Sequence, residues 1–138
     1  MKKILFVCKY NRFRSQIAEQ FFKKYNTNKN IYARSAGIFK GLYPLDKTES
    51  NLAKEFGIEI KKEPETISIN FLKDINMVVI VANDISKELF LYDGRYLQEV
   101  EKWEIPDDFD GNEKKIKRII RKVELNVKNL IKKLEKEK

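Results

Sequence analysis

The sequence predicts a three-layer α/β fold: a four-stranded parallel sheet with helices on both faces. Three observations predict it. Apolar runs of strand length alternate with segments of helical periodicity. The most apolar run, Met77–Ala82, is β-branched and unbroken, as suits a strand buried on both faces of a parallel sheet. The chain of 138 residues, 42% of them hydrophobic, is long enough to bury a core and fits a single domain over 1–138.

The elements follow in order. Lys3–Val7 reads as a buried strand. Its apolar run is too short for a signal peptide, and charges follow at once. The spacing of Ile17, Ala18, Phe21 and Phe22 predicts a helix over Ser15–Tyr25. Asn26–Asn30 is a polar turn, and Ile31–Ser35 a second strand ending at Ala36-Gly37. Asp46 suits the N-cap of a helix to about Phe56, with Gly57 at its C′ position. Residues 61–70 read as polar and irregular. Ile85–Tyr92 is expected to form a short helix and Val100–Ile105 a last strand, broken by Pro106-Asp107-Asp108. A stripe of Ile116, Ile119, Ile120, Val123, Val127, Leu130, Ile131 and Leu134 predicts a long closing helix.

Composition narrows the chemistry. There is no histidine, which excludes Ser–His and Cys–His pairs, histidine-ligated metals and histidine phosphocarriers. A general acid must then be Asp or Glu, or less readily Tyr or Lys. The lone Cys8 has no partner for an internal disulfide and suits a reducing compartment, so the cytoplasm is the expected location. No apolar run approaches the roughly 18–20 residues needed to cross a bilayer. The net charge is +8, and residues 112–138 carry most of it, with eleven basic residues against four glutamates. Regular apolar spacing and the lack of an aromatic platform favour a core-packing helix with a solvated basic face over a nucleic-acid surface.

Residues 8–15 read Cys-Lys-Tyr-Asn-Arg-Phe-Arg-Ser, between a buried strand and an amphipathic helix. Five residues between Cys8 and Arg14 can curl the backbone into a nest of inward N–H groups. The helix that follows points its positive end at the same place. The N–H groups of Lys9, Tyr10, Asn11, Arg12, Phe13 and Arg14, with a bidentate Arg14 guanidinium, can hold a phosphate dianion. Helix N-termini and nearby cations favour a thiolate, so Cys8 is expected to react as one without a histidine. Ser15 can donate its hydroxyl to that thiolate. Asn11 suits a left-handed position in mid-loop. A buried structural cysteine is the bland alternative. Strand, nest-length loop, Ser15 and helix together favour the functional one.

Val7-Cys8-x-x-Asn11-x-x-Arg14-Ser15-x-x-Ala18-Glu19 resembles the low-molecular-weight protein tyrosine phosphatases, whose fold thioredoxin-coupled arsenate reductases share. Ser35-Ala36-Gly37, the loop with Gly41, Pro44 and Asp46, and Glu104-Ile105-Pro106-Asp107 extend the resemblance in order along the chain. It implies a phosphotyrosine protein phosphatase I-like fold. It also implies Cys8 as nucleophile, Arg14 as phosphate clamp, Asn11 as loop brace, Ser15 as thiolate partner and Asp107 as general acid. Without the resemblance, Pro-Asp-Asp would read as an ordinary polar turn. The chain departs from the family pattern with Asp108 where a proline is usual, and with Phe109 and Asp110 in place of tyrosines.

The expected activity is cysteine-dependent hydrolysis of phosphate monoesters through a phosphocysteine, with no metal or cofactor. The expected substrate is a phosphotyrosine-containing protein or a small aryl phosphate. A monomer or weak dimer is expected, with no membrane. Tyr10, Phe39, Tyr43 and Phe109 are candidates for an aromatic rim, Tyr43 favoured by the resemblance. Lys9 and Arg12 can attract acidic substrates or simply be solvated. Phe13 stands where many relatives carry a second cysteine. That absence weighs against the first alternative, an arsenate reductase of the same fold. A non-catalytic phosphate-binding module is the second, and a nucleic-acid binder using the last helix the third.

Overall fold

Strand β1 (Lys2–Cys8) is buried from Ile4 onward and forms the centre of the molecule. The computed structural model describes residues 1–41, 45–60, 63–92, 95–96, 98–107 and 111–137. Tyr43, Pro44, Asp108, Phe109 and Asp110 lie outside the described residues. Strands β2 (Ile31–Gly37) and β3 (Met77–Val81) flank β1, and a further strand over Glu99–Trp103 pairs with β3. All pairings are parallel, so the carboxyl ends of the four strands share one edge. The register sets Cys8 opposite Gly37 and Val81 opposite Trp103.

Side chains alternate across a strand, and the core divides accordingly. Ile4, Phe6, Val79 and Val81 face a large cluster with helices α1 (Arg14–Tyr25) and α2 (Lys47–Glu55) and with the long helix over Glu113–Lys136. Every residue of the long helix's expected stripe is buried except Ile131, which packs partly buried on the same cluster. Leu5, Val7, Val78 and Ile80 face the second cluster, with Ile75, Ile85 and Phe90. The cover there is short: α3 (Ile69–Leu72), which brings Leu72, and a 3-10 turn over Lys87–Phe90. The Glu113–Lys136 helix is α4. Among the described residues no helix is long and apolar enough to cross a membrane.

Helix α2 starts and stops where its sequence signals lie. The Asp46 side chain accepts from Thr48 N at 2.8 Å, Glu49 closes a capping box, and Gly57 takes φ +79° beyond the end. Two expectations are corrected. Residues 61–70 are not wholly irregular, because Thr66 bridges Gly37 and the one-turn α3 begins at Ile69. The short helix expected over Ile85–Tyr92 is confined to a 3-10 turn at Lys87–Phe90. That turn leads into β4 (Leu91–Tyr92), which pairs antiparallel with β5 (Arg95–Tyr96), so the Glu99–Trp103 strand is β6. Ser86 Oγ accepts from Glu88 N and starts the turn, and Ile85 and Phe90 reach the core while Leu89 and Leu91 stay exposed. Two buried residues five positions apart give no helical stripe to extend. Asp93-Gly94 stands between the two short strands and is a hairpin signal in the sequence.

Candidate active site at the carboxyl edge of the sheet

Cys8 is the last residue of β1 and is 2% exposed. The chain turns there and re-enters regular structure at Arg14. Asn11 makes the turn possible with φ 56°, the one positive φ of a non-glycine among the described residues. That conformation strains most side chains and Asn least. Three hydrogen bonds hold it. Asn11 Oδ1 accepts from Glu65 N at 2.9 Å, its carbonyl accepts from Gln16 Nε2 at 2.6 Å, and its Nδ2 donates to Ser15 Oγ at 2.7 Å. The loop lies directly on the end of β2. A Cβ on Gly37 would stand 2.5 Å from the Tyr10 carbonyl carbon and 2.7 Å from Asn11 N, so only glycine fits. Ile38 N and Phe39 N then donate to the Cys8 and Lys9 carbonyls at 3.1 and 2.9 Å.

Ser15 Oγ lies 3.0 Å from Cys8 Sγ. Because Asn11 already donates to that oxygen, the one hydroxyl hydrogen of Ser15 is left for the sulfur. At the start of α1, Phe13 occupies the N-cap without a side-chain hydrogen bond, and no acidic residue stands in the first turn. The positive end of the helix is therefore not neutralised by its own sequence.

Arg14 is 2% exposed, and its guanidinium meets the ends of two other strands. Nη1 donates to Asp84 Oδ1 at 3.2 Å and to the Ile105 carbonyl at 3.0 Å, and Nη2 lies 3.7 Å from Asp107 Oδ2. Asn83 N donates to the Ile105 carbonyl at 2.9 Å, which ties the loop after β3 to the segment after β6. Cys8, Tyr10, Arg12, Phe13, Arg14 and Asp107 line one cleft.

The structure thus brings Cys8, Arg14 and Asp107 together, with Tyr10, Arg12 and Phe13 on the walls and Asn11 and Ser15 bracing from behind. Lys9 turns aside, with Nζ 5.4 Å from the Tyr10 ring centroid. The Tyr10 and Phe39 rings lie 6.4 Å apart, and Phe39 is 53% exposed. Arg12 is not simply solvated, because its guanidinium forms a two-pronged pair with the buried Glu49. Sequence reasoning missed Asp84, Glu49, Gln16 and Glu65. Asp84 alone had a general signal, lying just past the carboxyl end of β3. Among the described residues no group of three or more acidic or cysteine side chains forms a metal cage.

A parallel sheet whose first strand ends in a tight loop, with a thiol, a hydroxyl and a guanidinium converging there, belongs to the α/β class in which a site lies beyond the carboxyl ends of the strands. Its family model is that of the low molecular weight phosphotyrosine protein phosphatases, matched over residues 3–138, and the chain belongs to that family. A glutaredoxin arsenate reductase from Synechocystis is 34% identical, over 97% of this chain and 99% of its own. The protein tyrosine phosphatase of Entamoeba histolytica superposes with a TM-score of 0.83 at 26% identity, covering 99% of this chain and 98% of that one. The arsenate reductase of Archaeoglobus fulgidus gives 0.72 at 28% identity, over 93% and 98%.

Proposed function

We propose that the protein hydrolyses phosphate monoesters of the phosphotyrosine type through a phosphocysteine on Cys8. The observation that carries the reading is the Cys8–Ser15–Asn11 chain of contacts at 3.0 and 2.7 Å, which supplies a hydrogen bond to a thiolate. In the first step Cys8 Sγ attacks phosphorus. The S–P bond forms, the P–O bond to the leaving group breaks, and Asp107 gives its proton to the departing oxygen. Arg14 and the loop N–H groups hold the charge spread over the other three oxygens. In the second step Asp107 takes a proton from water, the water oxygen attacks phosphorus, and phosphate leaves as the S–P bond breaks. Ser15 then stabilises the returning thiolate.

The cysteine count supports hydrolysis over arsenate reduction. Arsenate to arsenite takes two electrons, and one cysteine has no second thiol in the chain with which to close a disulfide. The 34% identical relative, named for glutaredoxin, supports a second reading in which Cys8 forms the arsenate adduct and external thiols supply both electrons.

The deciding measurement is p-nitrophenyl phosphate hydrolysis in EDTA, with wild type beside Cys8→Ser. Activity that survives the chelator and falls by about four orders of magnitude or more in the variant is expected. An inactive wild type with its thiol confirmed reduced overturns the reading. Arsenate reduction with glutathione and glutaredoxin is then the assay to run.

A further inference from the structure

We infer that the solvent face of α4 is a docking surface for an acidic polypeptide segment, one that carries an apolar side chain among its Asp and Glu residues. The inference stands apart from the phosphatase reading and does not depend on it.

The apolar stripe of α4 packs into the core, so the opposite face is the one open to a partner. From Lys114 to Lys133 every exposed residue of the helix is lysine, arginine or asparagine, apart from Leu125, which is 59% exposed. Glu113 and Glu135 lie outside that span. Glu124 falls within it, but it is half-buried and accepts from the Tyr25 hydroxyl. Residues 112–138 carry most of the chain's net charge, so the face is a local excess and not part of a generally basic surface.

A solvated helix face ordinarily mixes signs, with Glu and Lys at i,i+4 supporting each other. Here Lys114, Arg118 and Lys122 follow one another at that spacing, and Lys128, Lys132 and Lys136 repeat it. Like charges so placed repel. Neighbouring elements give little relief. Lys133 Nζ lies 3.6 Å from Glu101 Oε2, and Lys122 Nζ donates to the Glu104 carbonyl at 2.6 Å. Arg121 and Lys128 lie over the Phe56 and Tyr25 rings, 5.9 and 4.7 Å from the centroids. Among the described residues Lys114, Arg118 and Lys132 have no hydrogen bond or ion pair. Negative charge from outside the chain is what this face lacks.

The same face selects among anionic partners. The span is about 30 Å long, and roughly nine residues of extended chain would cover it. Leu125 stands midway among the charges and offers contact to one apolar side chain. No aromatic residue stands on α4, so nucleic-acid bases find no stacking platform there. Membrane-surface helices insert an apolar face, and that of α4 is already buried in the core. An Asp- and Glu-rich segment with a leucine among its carboxylates meets both the charges and Leu125.

The test is fluorescence anisotropy of a labelled peptide of about twelve residues, Asp and Glu around a central leucine pair. It is run at about 150 mM salt, where long-range attraction is screened. The triple variant Lys114→Gln, Arg118→Gln, Lys132→Gln should bind about tenfold more weakly, since each exposed charge pair contributes a factor of roughly two. Leu125→Ser should weaken binding about threefold, yet leave unchanged the affinity for the same peptide with serines in place of its leucines. Equal affinities for the wild type and the triple variant overturn the inference, as does a wild type with no saturable binding. Tighter binding of a DNA duplex or of phosphatidylserine vesicles in the same buffer overturns it too, and assigns the face to that partner. Removing like charges should leave the thermal midpoint of the triple variant unchanged or raise it. A lowered midpoint would show that these residues serve folding, and that outcome also overturns the inference.

Discussion

The site is built from two regions held in different ways. The loop that carries the proposed nucleophile, residues 8–15, is braced by Asn11, Ser15 and Gln16 from within or beside itself and by Gly37 and the Glu65 backbone beneath, and Asn11, Ser15 and Gln16 are almost fully buried. The acid region of the proposed mechanism, formed by the segments after β3 and β6, is tied together by the bond from Asn83 N to the Ile105 carbonyl, touches Arg14, and accepts from Lys122 Nζ at the Glu104 carbonyl. Asp84 is 31% and Asp107 11% exposed at the side chain, against 2% for Arg14. The first region is made by chain geometry. The second is delivered by sheet register, and Arg14 is the joint between them. On the proposed mechanism, a loop braced in this way holds charge without reorganising, whereas a carboxylate that gives up and retakes a proton needs access to water.

Arg14→Ala attacks both regions at once and should produce the largest loss after removal of the nucleophile. Loss of about three orders of magnitude in kcat/KM, with weaker inhibition by phosphate, is the expected result of steady-state kinetics. Asp107→Asn strikes the acid region alone. It should lower kcat on phenyl phosphate by about 10²–10⁴-fold, and less on p-nitrophenyl phosphate, whose leaving group needs little protonation. A larger loss from Asp108→Asn would move the acid one residue along.

Asp84→Asn tests whether the acid region orients the clamp. It keeps the shape and removes one charge beside Arg14, so a loss of about tenfold in kcat/KM with the phenyl-to-nitrophenyl ratio unchanged is expected. A changed ratio would place Asp84 in proton transfer. The smallest effect lies far from both regions. The Tyr25 hydroxyl donates to Glu124 Oε2 at 2.5 Å, and this bond, with burial and the glutamate's charge, pushes its pKa up to about 12 from an ordinary 10.0. The folded state holds that proton more tightly than the unfolded chain. The stabilisation is thus complete below pH 10 and is lost as pH rises through about 12. Denaturant unfolding of Tyr25→Phe should lack this loss, with activity at neutral pH unaltered.

Much of the architecture was legible because its causes are local. The β-branched run of β3, the stripe of α4 and the cap of α2 each lie within a few turns of sequence. The helix expected over Ile85–Tyr92 shrinks to a 3-10 turn because its buried residues, Ile85 and Phe90, stand five apart, and periodicity needs several on one face. At the site, Asn11 was legible from the left-handed conformation that a five-residue nest demands. Asp107 was reached only through the family resemblance, since Pro-Asp-Asp is common turn chemistry.

By itself the sequence determined a parallel α/β sheet and a Cys-x5-Arg-Ser loop poised before a helix, since side-chain periodicity and backbone conformation act over a few residues. Only the tertiary structure decided which carboxylates meet the two arginines. Glu49 is 37 residues from Arg12, Asp84 is 70 from Arg14, and the Ile105 carbonyl is 91 away. No local preference encodes such pairings. They follow from the parallel register that brings the ends of β1, β3 and β6 to one edge and leaves a buried guanidinium to find its acceptors there.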